Sequence, residues 1–339
     1  MNKRIFTSLY LICLLVTPVF AETGSLILAK VIGVTEGSVY KGFVKPTWED
    51  AGGALSSATL TRNAGQPVAY TKGAKIEDDG KYLLNVTTRE NSSGLTANRG
   101  IHFTIDSNAS KDVFVTNAGQ YDVELEVEYE VNSYSGKYLP LYTMWVEDGS
   151  GNYLHNLYVS AMPATNIMRY TDKYVLRPQS VPYWAHKACP ANPYGKETVY
   201  HAANNIPPDL DAVSGATAKA DFFLKTRAKS IENKLKILFE INRAKDESWF
   251  FNRDFSYDKY YPVSMQPSLV YSVLIDLNHP RKEYDLELTG FGHYAGRDGD
   301  LYTDFEAMDP DTGKMRNKFE SALNMVKSIK VRLKSNRNK

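Results

Sequence analysis

The residues best suited to chemistry lie in one short stretch near the middle of the chain, residues 211–217, with the sequence DAVSGAT. Its small side chains predict a turn that exposes the Thr217 hydroxyl, and Gly215 lets another molecule approach the backbone closely. Successive backbone N–H groups in such a turn can bind a phosphate. The stretch is therefore suited to hold a phosphate group near an exposed hydroxyl. The alternative is an ordinary β-turn in which Asp211 and Ser214 cap nearby backbone groups.

Metal binding is a second kind of chemistry to consider, because the chain has six histidines and many carboxylates. No H-x-H or H-E-x-x-H pair occurs, so a transition-metal site would need ligands from distant loops, with His201, Asp209 and Asp211 as the first candidates. Three aspartates in residues 298–304 have a D-x-D spacing, but the Gly and Glu of a calcium loop are misplaced. We expect structural roles for these residues. The G-x-S-x-G sequence of a serine hydrolase is also absent, and we expect a protein without enzymatic activity.

The N-terminus has the features of a secretory signal peptide. Lys3 and Arg4 precede an apolar run at residues 9–16, and residues 19–21 (VFA) fit the site that a signal peptidase cleaves. We expect residues 1–21 to be removed, leaving a periplasmic or secreted chain with no transmembrane segment. The net charge of +1 includes those two bases, so the mature chain has no basic excess that would favour nucleic acid. Its single remaining cysteine can form no disulfide within the chain.

Residues 25–110 are predicted to form an Ig-like β-sandwich, because short strand-forming runs alternate with Gly- and Asn-rich turns. Asp78, Gly80 and Tyr82 have the spacing of a tyrosine corner, in which the tyrosine hydroxyl bonds to the backbone upstream. The alternation that follows predicts that one face of this strand points into the core, with Tyr82, Leu84 and Val86 on that face.

The same region resembles the bacterial Ig-like repeats found in cell-surface and secreted proteins. The residues that carry the resemblance are 46–50 (PTWED), 79–82 (DGKY) and 100–106 (GIHFTID). It implies a spacer or adhesion module of about one Ig domain in size. Residues 108–110 would be the linker to the rest of the chain.

Residues 113–335 are predicted to form a second, larger β-sandwich. Residues 121–131 alternate without error between apolar and acidic side chains, which predicts a strand with one acidic face. Residues 329–334 alternate between apolar and basic side chains. We predict that these two strands pair, so that acids face bases, with the basic row at residues 225–229 as the rival partner. Apolar residues spaced by three and four in residues 315–326 predict a short C-terminal helix.

The segment from residue 160 to residue 220 is predicted to be a long irregular loop, rich in proline. So long a loop within a domain is typically functional or packs over the core. It contains Trp184, His186 and His201, which have side chains suited to recognition. We therefore predict that this loop is the surface for a ligand or partner, and that these three residues belong to it.

The second part of the chain resembles an uncharacterised bacterial extracytoplasmic family, domain of unknown function 2271. The resemblance implies a periplasmic β-sandwich, distantly like the Ig-like module of flagellar hook-cap proteins. Genes of that family are often found beside flavin transferases and PepSY-type membrane proteins, and no catalytic residues are established for it. The motifs that carry the resemblance are residues 144–148 (MWVED), 152–154 (NYL), 211–217 (DAVSGAT), 267–271 (PSLVY), 290–293 (GFGH) and 296–299 (GRDG).

Residues 211–217 are also similar to the motif D-x-x-[ST]-G-A-[TS], whose last residue receives FMN from a flavin transferase through a phosphoester. Residues 218–220 (AKA) depart from that pattern, in which a Ser or Thr usually follows. We therefore expect an exported, non-enzymatic binding or structural protein without a cofactor. Its partner would be an unknown protein or small molecule of the cell envelope. The alternative is an extracytoplasmic redox protein with FMN on Thr217, in a turn formed by Asp211, Ser214 and Gly215.

Overall fold

The computed structural model describes residues 29–49, 55–91, 94–119, 121–132, 139–160, 163, 180–188, 220–243, 246–251, 266–294, 296, 298–305, 308–309, 313–314 and 318–334. The predicted signal peptide, the DAVSGAT stretch, His201 and Asp209 lie outside these residues. The described chain consists mostly of β-strands. This confirms the prediction of an all-β, sandwich-type fold.

The first eight strands lie within residues 30–115. They are β1 (Lys30–Ile32), β2 (Ser38–Tyr40), β3 (Thr47–Glu49), β4 (Leu55–Arg62), β5 (Val68–Ala69), β6 (Gly80–Arg89), β7 (Thr96–Ile105) and β8 (Asp112–Val115). Most are bounded by turns, as the spacing of the glycines and asparagines indicates.

Among the described residues that follow, the elements are eleven strands, one α-helix and a 3-10 helix. They are β9 (Val123–Val131), β10 (Pro140–Glu147), β11 (Tyr153–Val159), α1 (Pro182–Ala188), β12 (Phe222–Ala228), β13 (Lys234–Arg243), β14 (Leu269–Asp276), β15 (Glu283–Asp285), β16 (Glu287–Phe291), β17 (Met308–Asp309), β18 (Gly313–Lys314), the 3-10 helix (Ser321–Asn324) and β19 (Val326–Leu333). Helix α1 lies inside the segment that the sequence predicts to be irregular.

Two large sheets form the body of the molecule. One has ten strands in the order β15-β19-β9-β12-β8-β2-β7-β6-β4-β5, and the other has five in the order β11-β10-β13-β14-β16. Their facing side chains form one hydrophobic core. Aromatic rings join the sheets at its centre, where Tyr142 of β10 stacks on Phe222 of β12 with ring centroids 5.3 Å apart. Phe239 of β13 packs on Tyr129 of β9 at 5.4 Å.

Strands from both predicted domains take part in the ten-stranded sheet. β2 meets β8 through one residue pair, Val39 with Val113, and the rings of Tyr40 and Phe114 lie 5.9 Å apart beneath that junction. The backbone N–H of Val115 also donates to the buried Ser38 hydroxyl at 2.9 Å. The division into residues 25–110 and 113–335 stays a prediction.

The tyrosine corner has the geometry that its spacing predicts. The Tyr82 hydroxyl donates to the backbone carbonyl of Asp78 at 2.7 Å, at the start of β6. Tyr82, Leu84 and Val86 are buried, so the predicted face of this strand does point into the core. A ring stack between Tyr82 and Phe103, with centroids 5.3 Å apart, ties β6 to β7.

The acidic strand β9 lies between two basic strands. β19 pairs with it on one side, as predicted, and β12, the rival partner, pairs with it on the other. The Lys334 ammonium is 2.7 Å from the Glu126 carboxylate, and Arg332 is 3.1 Å from Glu128. Both of the predicted pairings therefore occur, with β9 between β19 and β12. We call the outward side of β12, β9 and β19 the charged face.

The predicted C-terminal helix is present, but only as a short 3-10 helix. The described residues in that stretch form the 3-10 helix Ser321–Asn324, and strand β19 follows directly from Val326. Phe319, Ala322 and Met325 are buried at a spacing of three, which fits a 3-10 turn. The backbone N–H of Met325 accordingly bonds to the carbonyl of Ala322. The β-branched residues that follow favour a strand, and a helix through residue 326 would cost their sheet hydrogen bonds.

Candidate functional site

Helix α1 covers the side of the five-stranded sheet that faces away from the main core. A second hydrophobic cluster lies there, between the helix and strands β10, β13 and β14. A helix of seven residues is not stable alone in water, so α1 depends on these contacts. The buried apolar side chains of this cluster come from the strands, from the residue before the helix and from the helix: Ile32 of β1, Trp145, Val159, Leu238 and Val270 of the sheet, Val181, and Tyr183, Trp184, Ala185 and Ala188.

A buried carboxylate accepts hydrogen bonds from the start of the helix. Glu240 of β13 accepts hydrogen bonds from the backbone N–H of Tyr183 at 3.2 Å and of Trp184 at 2.7 Å. The Ser268 hydroxyl donates to the same carboxylate at 2.6 Å. These three donors would otherwise be left without partners in the interior. Burial raises the pKa of Glu240 to about 7, although the hydrogen bonds from Ser268, Trp184 and Tyr183 act in the opposite direction.

A second buried carboxylate, Glu147 of β10, lies beside the helix. It accepts hydrogen bonds from the Trp145 indole at 3.2 Å and from the Tyr183 hydroxyl at 3.5 Å. Lys236 and Lys187 are 3.4 and 3.8 Å away, so two ammonium groups balance its charge. Burial, with the charges of both glutamates adding to it, raises the pKa of the Tyr183 hydroxyl.

The predicted surface residues Trp184 and His186 both lie on α1. Trp184 is only 3% exposed, and its indole N–H donates to the Asn156 side chain of β11 at 2.7 Å. His186 is half-buried, and burial lowers its pKa, against the opposing effects of the Gly296 backbone, Asp298 and Asp300. The third residue, His201, lies outside the described residues. The assignment of these residues to a binding surface stays a prediction.

Two glycines let the chain after β16 pack against the helix at both ends. A Cβ on Gly292 would lie 2.6 Å from Pro182 and 2.6 Å from the Ser268 hydroxyl. A Cβ on Gly299 would overlap the side chain of His186. Only glycine allows such close approach without displacing a neighbour. The start and the end of α1 are therefore both fixed by side chains and backbone from distant parts of the sequence.

Four of the six motifs behind the family resemblance meet at this helix. Trp145 and Glu147 belong to the MWVED motif, Ser268 to the PSLVY motif, and Gly292 and Gly299 to the two glycine motifs. Each contacts α1 or the carboxylate that binds it. We call this arrangement, helix α1 with Trp145, Glu147, Glu240 and Ser268, the α1 site.

Neither Glu240 nor the helix itself is predicted as part of a site from the sequence. The available signal was a single glutamate in the otherwise apolar centre of a predicted strand, residues 235–241 (LKILFEI). A lone acid at the centre of such a strand indicates a specific buried partner, because carboxylates are seldom fully buried without one. The four residues of the predicted cofactor turn, Asp211, Ser214, Gly215 and Thr217, lie outside the described residues.

The described residues include no group of three or more His, Cys, Asp or Glu side chains able to hold a metal ion. In the aspartate-rich turn, Asp298 accepts hydrogen bonds from the Tyr302 hydroxyl at 3.0 Å and from the Asp300 N–H at 3.2 Å. The metal candidates His201, Asp209 and Asp211 are not among the residues described. In that same part of the chain, no helix has both the length and the apolar character needed to cross a membrane.

Comparisons with known proteins gave no match. No protein-family model matches the chain, and neither a curated protein nor a solved structure does. The family resemblance therefore stays a prediction.

Proposed function

We propose that this protein is an exported, non-enzymatic binding or structural protein of Ig-like β-sandwich type. The segment between β11 and β12 would carry its surface for a protein or small molecule of the cell envelope. The observation that supports this proposal is the α1 site, where buried polar groups fix a short helix within that segment. Binding surfaces are commonly loops held by a rigid scaffold.

The polar groups of the α1 site are already used to hold the helix. Both oxygens of Glu240 accept hydrogen bonds, and the Glu147 carboxylate is balanced by two lysines. Burying two carboxylates costs free energy, so the fold uses costly interactions to fix seven residues. Such an arrangement supports a role in which residues on either side of α1 must be held at a defined place.

The binding role can be tested in the native host by photo-crosslinking. A photoreactive amino acid would replace Tyr174 or Tyr194 in the segment, and Thr59, an exposed residue of β4, in the control. We expect crosslinked species from the first two positions and none from the third. Equal crosslinking at all three positions, or at none, would contradict the proposal.

Export is proposed from residues 1–21 and can be tested separately. The full chain would be produced in a Gram-negative bacterium, fractionated, and its N-terminus determined by mass spectrometry. We expect processed protein that begins at Glu22 outside the cytoplasm. A control with Leu14→Arg and Leu15→Arg should stay unprocessed, because charges in the apolar run prevent recognition of the signal. Unprocessed wild-type protein in the cytoplasm would overturn this part of the proposal.

A second candidate function, an FMN-carrying redox protein, is supported by the DAVSGAT stretch. The Thr217 hydroxyl would form a phosphoester with FMN, with the turn of Asp211, Ser214 and Gly215 holding the phosphate. Co-expression with a flavin transferase should then give a fluorescent band on a denaturing gel. Thr217→Val should abolish it, whereas Thr217→Ser should keep it because serine retains the hydroxyl. A colourless wild-type protein under these conditions removes this candidate.

A further inference from the structure

Glu240 differs from the other buried acids of the described chain in having no cation beside it. Glu147 has two lysines within 4 Å, and Asp246 has Arg243. Glu240 is fully buried, and the described residues place no basic side chain within ion-pair distance of it. An ionised carboxylate in such a place is costly, because hydrogen bonds alone replace its hydration.

The two backbone hydrogen bonds to Glu240 can be kept in either protonation state. The Tyr183 N–H and the Ser268 hydroxyl share one carboxylate oxygen, and the Trp184 N–H bonds to the other. A proton on the first oxygen would be donated to the Ser268 oxygen, which is 2.6 Å away and can accept it. The second oxygen would still accept from Trp184. Neutral Glu240 therefore keeps helix α1 in place without burying a charge.

We propose that Glu240 makes the attachment of α1 to the sheet depend on pH: protonated Glu240 holds the helix, and loss of the proton weakens the attachment. The carboxylate contacts the first turn of the helix directly, so its charge acts at the interface itself. If the chain is exported, as the proposed function holds, this group would respond to the pH outside the cytoplasm. The segment that carries α1 would then be held more firmly in mildly acidic surroundings.

The sign of the pH dependence of helix attachment follows from proton linkage. Burial raises the pKa of Glu240 from 4.5 to about 7 in the attached state. A detached, solvated Glu240 would return towards the ordinary value. The contribution of Glu240 to attachment is therefore complete below about pH 4.5 and is lost as the pH rises towards 7.

Other titratable groups at the helix act elsewhere or in the opposite direction. Lys187, Lys236 and the Tyr183 hydroxyl contact Glu147 rather than Glu240, and the charge of Glu240 adds to the rise in the pKa of Tyr183. His186 lies in the last turn, and burial lowers its pKa, so its protonation in acid weakens the attachment. Ser268 and Gly292, which contact Glu240, carry no charge, and neither do Thr143 and Val270, which lie opposite it on the adjacent strands.

Amide hydrogen exchange of the purified mature chain tests the proposal. Protection of residues 180–188, corrected for the intrinsic exchange rate, would be measured from pH 5 to pH 8 in the wild type and in Glu240→Gln. Dividing the protection of the wild type by that of the variant removes the contribution of His186, which both proteins share. We expect this ratio to fall about tenfold or more between pH 5 and pH 7, since one proton changes the equilibrium up to tenfold per pH unit. A ratio that stays constant overturns the proposal.

A matched control and a second measurement complete the test. Glu287→Gln removes an exposed glutamate from the same sheet, and we expect it to keep the wild-type pH response.

Should Glu240→Gln fail to fold, infrared spectra of wild-type protein with labelled glutamate carboxyl groups show directly whether a glutamate is protonated. One glutamate should still be protonated at about pH 6, above the ordinary range for glutamate. Its absence contradicts the proposal. Neither measurement needs a partner or export, so failure here leaves the proposed binding function standing.

Discussion

The charged face and the α1 site both place glutamates on central strands, and they stabilise them in different ways. On the charged face, Glu126 and Glu128 lie opposite basic strands, with Lys334 at 2.7 Å and Arg332 at 3.1 Å. In the α1 site, Glu240 has backbone amides and a hydroxyl as its only polar contacts among the described residues. Water reaches the first group and not the second.

The two arrangements respond to protons with opposite sign. The hydrogen bond from Lys111, with Arg332 adding to it, lowers the pKa of Glu128. Glu128 therefore adds stability above its ordinary pKa and loses that contribution as the pH falls through its lowered value. Burial raises the pKa of Glu240, so its contribution is lost as the pH rises. Partly solvated Glu128 bonds to two cations, whereas buried Glu240 depends on backbone dipoles, a hydroxyl and neutralisation.

The largest effect on this comparison should come from Trp184→Ala. The change removes a buried indole from the α1 site and leaves the Asn156 side chain without its donor. We expect a loss of about 3–5 kcal/mol in the free energy of unfolding, measured in urea, with loss of exchange protection across α1. Trp249→Ala is the control, because that ring is 56% exposed and should cost far less. Equal losses in the two variants would show that α1 is not packed as described.

The next largest effect should come from Gly292→Ala. The new methyl group would lie 2.6 Å from Pro182 and from Ser268, so helix and sheet must separate slightly. We expect a loss of about 1–3 kcal/mol in the free energy of unfolding, as for other overpacked sites. Gly42→Ala adds the same methyl group where no atom lies within 4 Å, and it should change little. A neutral Gly292→Ala would mean that the sheet does not need this close approach.

Tyr82→Phe tests a hydrogen bond that local spacing predicts. The Tyr82 side chain is buried, and its hydroxyl bonds to the carbonyl of Asp78. Removing that hydroxyl should cost about 1 kcal/mol, because the carbonyl loses its donor while the ring stays packed. The urea midpoint of the full chain measures the effect. An unchanged midpoint would argue against a stabilising role for the corner.

The features that the sequence predicts correctly have local or periodic causes. The strict alternation of residues 121–131 specifies strand β9, and the matching basic rows specify its two neighbours. The tyrosine corner follows from three residues within five positions. A period-two pattern arises because one face of the sheet is buried, so it can be recognised in the sequence without knowledge of the tertiary structure.

The α1 site is not predicted because its signal, the lone glutamate in residues 235–241, does not show which distant segment binds it. Helix α1 has only seven residues, and its sequence, PYWAHKA, shows no capping residue of its own. Its N-terminal amides bond to Glu240, which follows 57 residues after Tyr183. A helix held by a distant carboxylate cannot be found by periodicity, which sees only neighbours in sequence. The C-terminal helix is shorter than predicted for a related reason, because apolar spacing alone does not show where a helix ends and strand β19 begins.

The smallest effect should come from the charged face, where one ion pair can be exchanged. Glu126 contacts Lys334, whereas Arg332 contacts Glu128 and Glu283, so Glu126 and Lys334 form the pair to exchange. We expect Glu126→Lys and Lys334→Glu each to lose stability, and the double variant to recover part of it. The coupling free energy should be about 0.2–1 kcal/mol, because the pair is partly solvated.

Recovery in that double variant should be incomplete, since Lys225 lies opposite Glu126 on the other side and would then face a lysine. Added salt should reduce the coupling. Glu126→Lys combined with Lys234→Glu, a lysine on the other sheet, is the control and should be additive. A coupling free energy no larger than in this control would show that ion pairing on the charged face, unlike the contacts of the α1 site, adds no stability. The alternating charges would then serve only to keep the strands in register.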